Sequence, residues 1–535
     1  MKSKKFISLL SVSLIMGMLT SCGGNNNSSS NTTKDDKPTS VTSVPTSEAS
    51  DTTGDSENYF IKEKTTIYMW ATLNDTYGKR VLNFVDAFQK VEPNVTVEYV
   101  KQTGSYNDLK DKIIDGFASD NYPDLAQCYP DHVAEYLDLG RAYDLTPYMY
   151  NKDYGWTADD IDDIITAYLD EGASYTLDGY YSLPFSKSTE AMYYNEDILL
   201  NTTHAQGIVN AGKDLGITIN DGNPINADYL NNLTWDELFD NLCPAIVKYN
   251  DSLPEKDSII DKTGKDWSVV GYDSDDNLFI TLAEQYGYPY TSVDTTVGVG
   301  SADFDTKEMR DLVTYFNSAA RNHYLLSKGS YGDYVNNLFT ARGLLFSIGS
   351  TGGYTYQFSA DNPMNVGVAR IPQAKAEDGM RKVINQGPSI AFLNHPAAGD
   401  KAAANRRLAS WLFYKFMENE ANSLDWTLET GYNGIRLSNY ESDEYKAQTD
   451  LSSTDPKTLE RLKAKNMNYV GTVTDDLFAS PVFIGSSGCR NAVGALMTKA
   501  LNRANDATEV ATNNKTNVEN WFADALNEAK KGIKA

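Results

Sequence analysis

Between Thr65 and Tyr129 the chain changes periodicity four times, and this alternation restricts the possible folds more than any other feature. Thr65-Thr66-Ile67-Tyr68-Met69-Trp70-Ala71 is a short apolar run of the buried-strand kind. Val81, Leu82, Phe84, Val85 and Phe88 then recur at helical spacing, and Pro93-Asn94 closes that helix. Val95-Thr96-Val97-Glu98-Tyr99-Val100 reads as a second strand. Leu109, Ile113, Ile114 and Phe117 mark a second amphipathic helix, and Asp124–Tyr129 a third strand. Strand–helix–strand–helix–strand predicts a parallel sheet covered on both faces, because parallel neighbours need a crossover long enough to hold a helix. The chain beyond residue 60 is too long for one core, so two or more lobes are expected.

Further along, helices are expected around Trp235–Phe239, around Met309–Phe316, over the long pattern Lys401–Leu424, and near Asn491–Asn502 and Val518–Lys530. Gly332–Tyr354 is rich in glycine and aromatics, and no internal repeat is evident.

Composition excludes several function classes. Apolar content is 41%, with 19 Phe, 35 Tyr and 7 Trp, which is that of a folded protein. A net charge of −26 opposes any nucleic-acid partner. Cys128, Cys243 and Cys489 show no CxxC spacing, and His132, His204, His323 and His395 are scattered, so neither a disulfide framework nor a metal site is predicted. No phosphate-binding loop and no nucleophile elbow occur, so no cofactor and no catalytic residue is assigned. Asp273-Ser274-Asp275-Asp276-Asn277 glances at a calcium loop but lacks the glycine and glutamate that one needs; it is read as a helix-capping turn.

The amino terminus carries its own signal. Lys2, Lys4 and Lys5 precede an apolar run from Phe6 to Leu19, shorter than the roughly 20 residues that span a bilayer. Leu19-Thr20-Ser21-Cys22 follows, and residues 23–59 are mostly Ser, Thr, Asn, Asp and Gly, a composition that cannot bury enough apolar surface to fold. Residues 1–22 resemble a bacterial lipoprotein signal peptide in which Cys22 is lipidated, with 23–59 as a disordered tether. The implied location is the extracytoplasmic face of the cell membrane, held by lipid alone.

A series of short motifs runs in order through the rest: Ile67-Tyr68-Met69-Trp70, Gly104-Ser105-Tyr106-Asn107-Asp108-Leu109, Tyr122-Pro123-Asp124-Leu125 and Tyr129-Pro130-Asp131. Leu183–Thr189 with Tyr193-Tyr194-Asn195, Thr234–Leu238, Gly349–Gly352, Asn385–Ser389 and Thr430-Gly431-Tyr432 complete it. Each is weak alone. Together, over about residues 60–535, they resemble the extracellular solute-binding proteins of ABC importers, the carbohydrate-binding family that includes maltose- and glycerol-phosphate-binding proteins.

That resemblance implies an α/β, two-lobe periplasmic-binding-protein-like fold of type II, with parallel-sheet lobes joined by crossover hinge strands. The first lobe would comprise 60–185 plus 388–432 and the second 186–387 plus 433–535. It also implies ligand roles for Tyr106, Ser188, Ser350, Gly387, Tyr432 and Arg490, and more loosely for Asp131. A sugar needs aromatic plates for its C–H faces and convergent polar groups for its hydroxyls. On that ground Trp70 and Tyr129 join as plates and Thr189 as a hydrogen-bonding group. Alternatives stay open: Trp70 and Tyr129 as core, Ser350 as a backbone cap, Arg490 as half of an ion pair.

The implied function is capture of an extracellular carbohydrate by a non-enzymatic monomer that delivers it to the transmembrane subunits of an ABC permease. Rivals are a binding protein for glycerol 3-phosphate or another sugar phosphate, a secreted glycoside hydrolase, and a surface adhesin. Asn433-Gly434-Ile435-Arg436 departs from the family pattern after Tyr432, which leaves the ligand open.

Overall fold

The computed structural model describes residues 59–509 and 517–534, apart from 265, 295, 378 and 454. The expected signal peptide, Cys22 and the tether through residue 58 lie outside the described residues. In chain order the strands are β1 (Thr65–Ala71), β2 (Val95–Lys101), β3 (Leu125–Cys128), β4 (Ser182–Pro184), β5 (Glu190–Asn195), β6 (Val270–Tyr272), β7 (Thr291–Asp294), β8 (Val299–Ala302), β9 (Leu325–Ser327), β10 (Phe346–Ser350), β11 (Val366–Ala369), β12 (Val383–Ile384), β13 (Ser389–Phe392) and β14 (Leu477–Phe478).

The expected β1–helix–β2–helix–β3 start is present, with helices Asp75–Val91 and Tyr106–Gly116 between the strands. Asn74 caps the first helix by accepting the Tyr77 amide, and Ser105 caps the second in a reciprocal box with Asp108. Five strands form a first sheet in the order β2-β1-β3-β13-β4, and five form a second in the order β11-β5-β10-β6-β9. In the first, β1 runs parallel to β2 from Thr65↔Val95 to Ala71↔Lys101 and parallel to β3 at Met69↔Leu125. β13 is antiparallel to both β3 and β4. In the second, β6 is parallel to β9 and β10, while β5 is antiparallel to β10 and β11.

Each sheet is therefore parallel except for one strand, and that strand is the one that follows a crossing, β12 before the second crossing being paired with β14 in a separate two-stranded sheet. β5 follows the crossing after β4, and β13 follows the crossing after β12. A chain arriving at the carboxyl edge of a parallel sheet has to run against its neighbours. This places the first residues of β5 and β13 beside the last residues of β3, β6 and β10, on the edges where the two sheets face each other.

Alternation explains the burial. In the first sheet Ile67, Met69, Ala71, Leu125, Ile390 and Phe392 enter one apolar cluster, while Trp70, Ala126, Cys128 and Ala391 enter another on the opposite face. Both faces are covered, as the continuous apolar runs predict for parallel strands. A third cluster surrounds the second sheet, with Tyr193, Val270, Phe346 and Ile348 fully buried. Cys128, Cys243 and Cys489 are free and buried. No described helix is long and apolar enough to cross a membrane.

One helix expectation needs correction. The Lys401–Leu424 pattern is two helices, Asp400–Met417 and Glu420–Thr430, because Asn419 caps the second by accepting the Asn422 amide. The Trp235 segment also differs in detail: Glu237–Leu242 is wound with π-type bonding and runs into helix Cys243–Ser252. The expected helices at Met309–Phe316, Asn491–Asn502 and Val518–Lys530 appear as Lys307–Arg321, Ser486–Leu501 and Val518–Gly532.

Three chain segments pass side by side between the sheets. Ser188 and Gln386 exchange backbone bonds of 2.8 and 3.0 Å, and the Asn433 amide donates to the Lys187 carbonyl at 2.7 Å. Gly387 has φ of +88°, and a Cβ there would lie 2.5 Å from the Ser186 carbonyl oxygen, so the approach needs glycine. Behind this bundle the fully buried Lys187 ammonium meets Glu171 Oε2 at 2.5 Å and donates to the Gly387 carbonyl at 3.1 Å. Asn385 Nδ2 and Ser389 Oγ donate to the same carboxylate at 3.0 and 3.1 Å. A buried pair survives only when its remaining lone pairs and protons are bonded, and here they are.

Candidate binding site

The facing strand edges enclose a cavity of about 700 Å³. Tyr129 and Asp131 reach it from the end of β3, Asp273, Ser274, Asp276 and Asn277 from the end of β6, and Ser350 from the end of β10. Glu190, the first residue of β5, and Asn385 to Gly387, just before β13, come from the crossings. Arg490 enters from the first turns of helix Ser486–Leu501. The site thus sits beyond the carboxyl ends of parallel strands, where open α/β sheets bind ligands.

Of the residues singled out in the sequence, Tyr129, Asp131, Ser350, Gly387 and Arg490 line this cavity. Tyr106 stands behind Tyr129, the ring centroids 4.7 Å apart and the planes at 60°. Tyr432 packs edge-on against Tyr77 at 5.9 Å and closes over Gly352. Ser188 and Thr189 lie buried in the crossing bundle; Thr189 donates from Oγ1 to the Ile384 carbonyl at 2.8 Å and its amide donates to Thr351 Oγ1 at 3.1 Å. Trp70 is buried in the core of the first sheet, with the Lys112 ammonium 4.9 Å from its ring centre. The Ser350 hydroxyl also caps its own turn, accepting the Gly352 amide at 3.2 Å.

A connected polar network backs the cavity. Arg490 donates from one nitrogen to Asp276 Oδ2 at 2.8 Å and Asn277 Oδ1 at 2.6 Å. Asn277 Nδ2 in turn donates to Gln386 Oε1 at 2.8 Å and Glu190 Oε1 at 3.2 Å. Gln386 Nε2 donates to the Thr189 carbonyl at 2.9 Å. The Tyr272 hydroxyl donates to the other Glu190 oxygen. The cavity cation is thereby joined through one asparagine to two of the three crossings.

Burial sets the protonation of this network. It pushes the Glu190 carboxyl up to about 7, against the bonds from Tyr272 and Asn277 that favour the anion. It lifts Asp273 to about 6 and the Tyr129 hydroxyl to about 12. Burial also raises Asp276, but the Arg490 guanidinium beside it outweighs this and holds the carboxyl below the usual range. For Arg490 the order reverses: burial lowers it, and Asp276 with its neighbours raises it further still.

Sequence reasoning missed Glu171, Glu190, Asp273, Asp276 and Asn277. A signal existed: Asp273-Ser274-Asp275-Asp276-Asn277 directly follows the apolar run Val269-Val270-Gly271-Tyr272, and polar residues at the end of such a strand face the cleft in this architecture. Ser274 does head helix Asp275–Tyr286, but its side chain makes no capping bond to the helix; it donates to Asp276 Oδ1 at 2.6 Å instead.

Two α/β lobes exchanging strands through adjacent crossings, with a polar and aromatic cavity at their facing edges, define the two-lobe binding-protein fold. The GacH receptor of Streptomyces glaucescens shares it at a TM-score of 0.57 and 15% identity, over 88% of this chain and 98% of that one. MalE from Xanthomonas citri matches at 0.58 and 14%, over 88% and 96%. UgpB from Mycobacterium tuberculosis, solved in complex with glycerophosphocholine, matches at 0.56 and 15%, over 87% and 98%. The model of the bacterial extracellular solute-binding protein family matches residues 83–453, and the chain belongs to that family. Comparison with curated proteins gives no match.

Proposed function

We propose that this protein captures an extracellular saccharide between its lobes and presents it to the transmembrane subunits of an ABC permease, anchored to the membrane through lipid on Cys22. The observation that carries the reading is the cavity. It is large, lies between two sheets, and combines exposed tyrosine rings with convergent side-chain acceptors and donors, which is what a ring of hydroxyls and its C–H faces require. Tyr129, Tyr334 and Tyr356 are 36%, 52% and 70% exposed at this cavity, an arrangement that suits stacking on sugar faces. Relatives in fold include a receptor solved with acarbose and a protein described as sugar-binding.

The lobes in this reading are 60–185 plus 388–432 and 186–387 plus 433–535, closing about the three crossings. Every strand of the first sheet falls in the first set and every strand of the second sheet in the second. The segment after Tyr432 is shared. The Leu437 amide donates to the Asp163 carbonyl at 2.7 Å, a contact from the start of 433–535 back to the first set.

The test is a thermal-shift screen of purified protein against mono- and oligosaccharides. A ligand at about 100 times its Kd adds about 2.7 kcal/mol of stability, a shift of several degrees in a chain of this kind. A panel that leaves the transition unmoved, or turnover of an oligosaccharide by the pure protein, would overturn the reading.

A further inference from the structure

We infer that the cavity selects against anionic sugars: its ligand is an uncharged or amine-bearing saccharide, and phosphorylated or uronate-bearing sugars are refused. This rests on the saccharide reading above and goes beyond it, because several families of extracellular sugar carry phosphate or carboxylate.

The first observation is charge. Asp131, Glu171, Glu190, Asp273 and Asp276 all line the cavity, against Arg490 as the single lysine or arginine in its lining among the described residues. Arg490 is already engaged by Asp276 and Asn277. Lys187 lies behind the wall, fully buried on Glu171. With these two pairs set aside, Asp131 and Asp273 still face the cavity without an ion pair to any lysine or arginine among the described residues, Arg490 and Lys328 acting on them only from beyond 4.0 Å. An anion brought there would meet two carboxylates in a site with restricted water.

The second observation is independent of charge. Gln357 and Asn385 line the cavity, are 2% and 5% exposed, and each leaves its amide oxygen without a hydrogen-bond donor among the described residues. Asp131 likewise accepts no hydrogen bond among the described residues; its nearest cation candidate, His132 Nε2, is 4.0 Å away. At these three groups the unfilled capacity is acceptor capacity. A phosphate dianion brings only acceptors. Sugar hydroxyls, or an ammonium group, bring the donors that these oxygens lack.

The experiment uses matched probes on the full mature chain: glucose, galactose, maltotriose, glucose 6-phosphate, glucuronate and glucosamine, by thermal shift and then by calorimetry at about 20 and 300 mM salt. We expect each anionic probe to bind at least about tenfold more weakly than its uncharged parent, and glucosamine to bind as well or better. Higher salt should narrow the gap, since it screens repulsion. Asp131→Asn should narrow the ratio of parent to anionic affinity by about threefold or more, and Asp273→Asn should act in the same direction as a second variant. If an anionic probe binds as tightly as its parent, this inference falls while the saccharide reading stands. A gap that neither salt nor either variant alters would mean rejection by shape, and would overturn it too. Failure of every saccharide, charged or not, would overturn both readings together.

Discussion

At the scale of single residues, the site depends on groups whose protonation and stacking are set by burial. Tyr129 lines the cavity with Tyr106 packed behind its ring. Tyr129→Ala should weaken the best saccharide from the screen by about 1–3 kcal/mol, read by calorimetry, with little change in folding stability. Glu190 provides a test of the electrostatics. Its folded-state value is raised from 4.5 to about 7, so the neutral form is favoured in the native protein. The stability it contributes is complete below about pH 4.5 and is lost as pH rises through about 7. Glu190→Gln should therefore flatten the decline in unfolding free energy across that window, measured by denaturant titration at several pH values. An unchanged slope would mean that the carboxyl is better solvated than its 1% exposure suggests. These residues were the least legible in the sequence. Asp276 and Asn277 read as a local turn because their function depends on Arg490 and Gln386, 214 and 109 residues away. Local pattern carries no record of such meetings.

The elements were far more legible. The β1-to-β3 unit follows from apolar spacing, because each strand and helix buries a face defined within a few neighbouring residues. The split at Glu418-Asn419 was missed because apolar residues continue in helical register on both sides of the cap. The crossings were visible only through family resemblance, and their physical basis lies in Lys187 and Glu171. Removing one partner strands the other charge in the interior. Lys187→Met should cost about 3–5 kcal/mol of unfolding free energy, and adding Glu171→Leu should recover much of that loss. Equal stability of Lys187→Met and the parent chain would show that the pair does not bear on the crossings. Gly387→Ala is a sharper probe of the same bundle, because its backbone conformation and the 2.5 Å approach to Ser186 both disfavour a side chain.

For the whole molecule, the proposed mechanism predicts motion. Closure about the crossings should reduce the radius of gyration by small-angle scattering when a saccharide saturates the cavity; identical profiles would indicate a rigid, preformed site. The proposed anchor is tested separately. Cys22→Ala should release the protein from membranes or leave residues 1–22 attached, and a variant that is processed normally and still pellets with membranes would remove the lipid from the account.

The strand order has a consequence for how such a chain reaches its native state. β13 lies between β3 and β4 in the first sheet, yet Ser389 pairs with Cys128, 261 positions away in the sequence. Until Ser389–Phe392 arrives, β3 and β4 have no common neighbour and each presents a bare edge. A chain emerging amino terminus first therefore cannot complete its first sheet before all five strands of the second have been made. Long-range closure of this kind is slow, and the waiting edges are sites for pairing with other chains. The protein's exposure to aggregation is thus concentrated in the interval between the emergence of Pro184 and that of Ser389, and a chaperone that holds the chain extended through that interval would protect it.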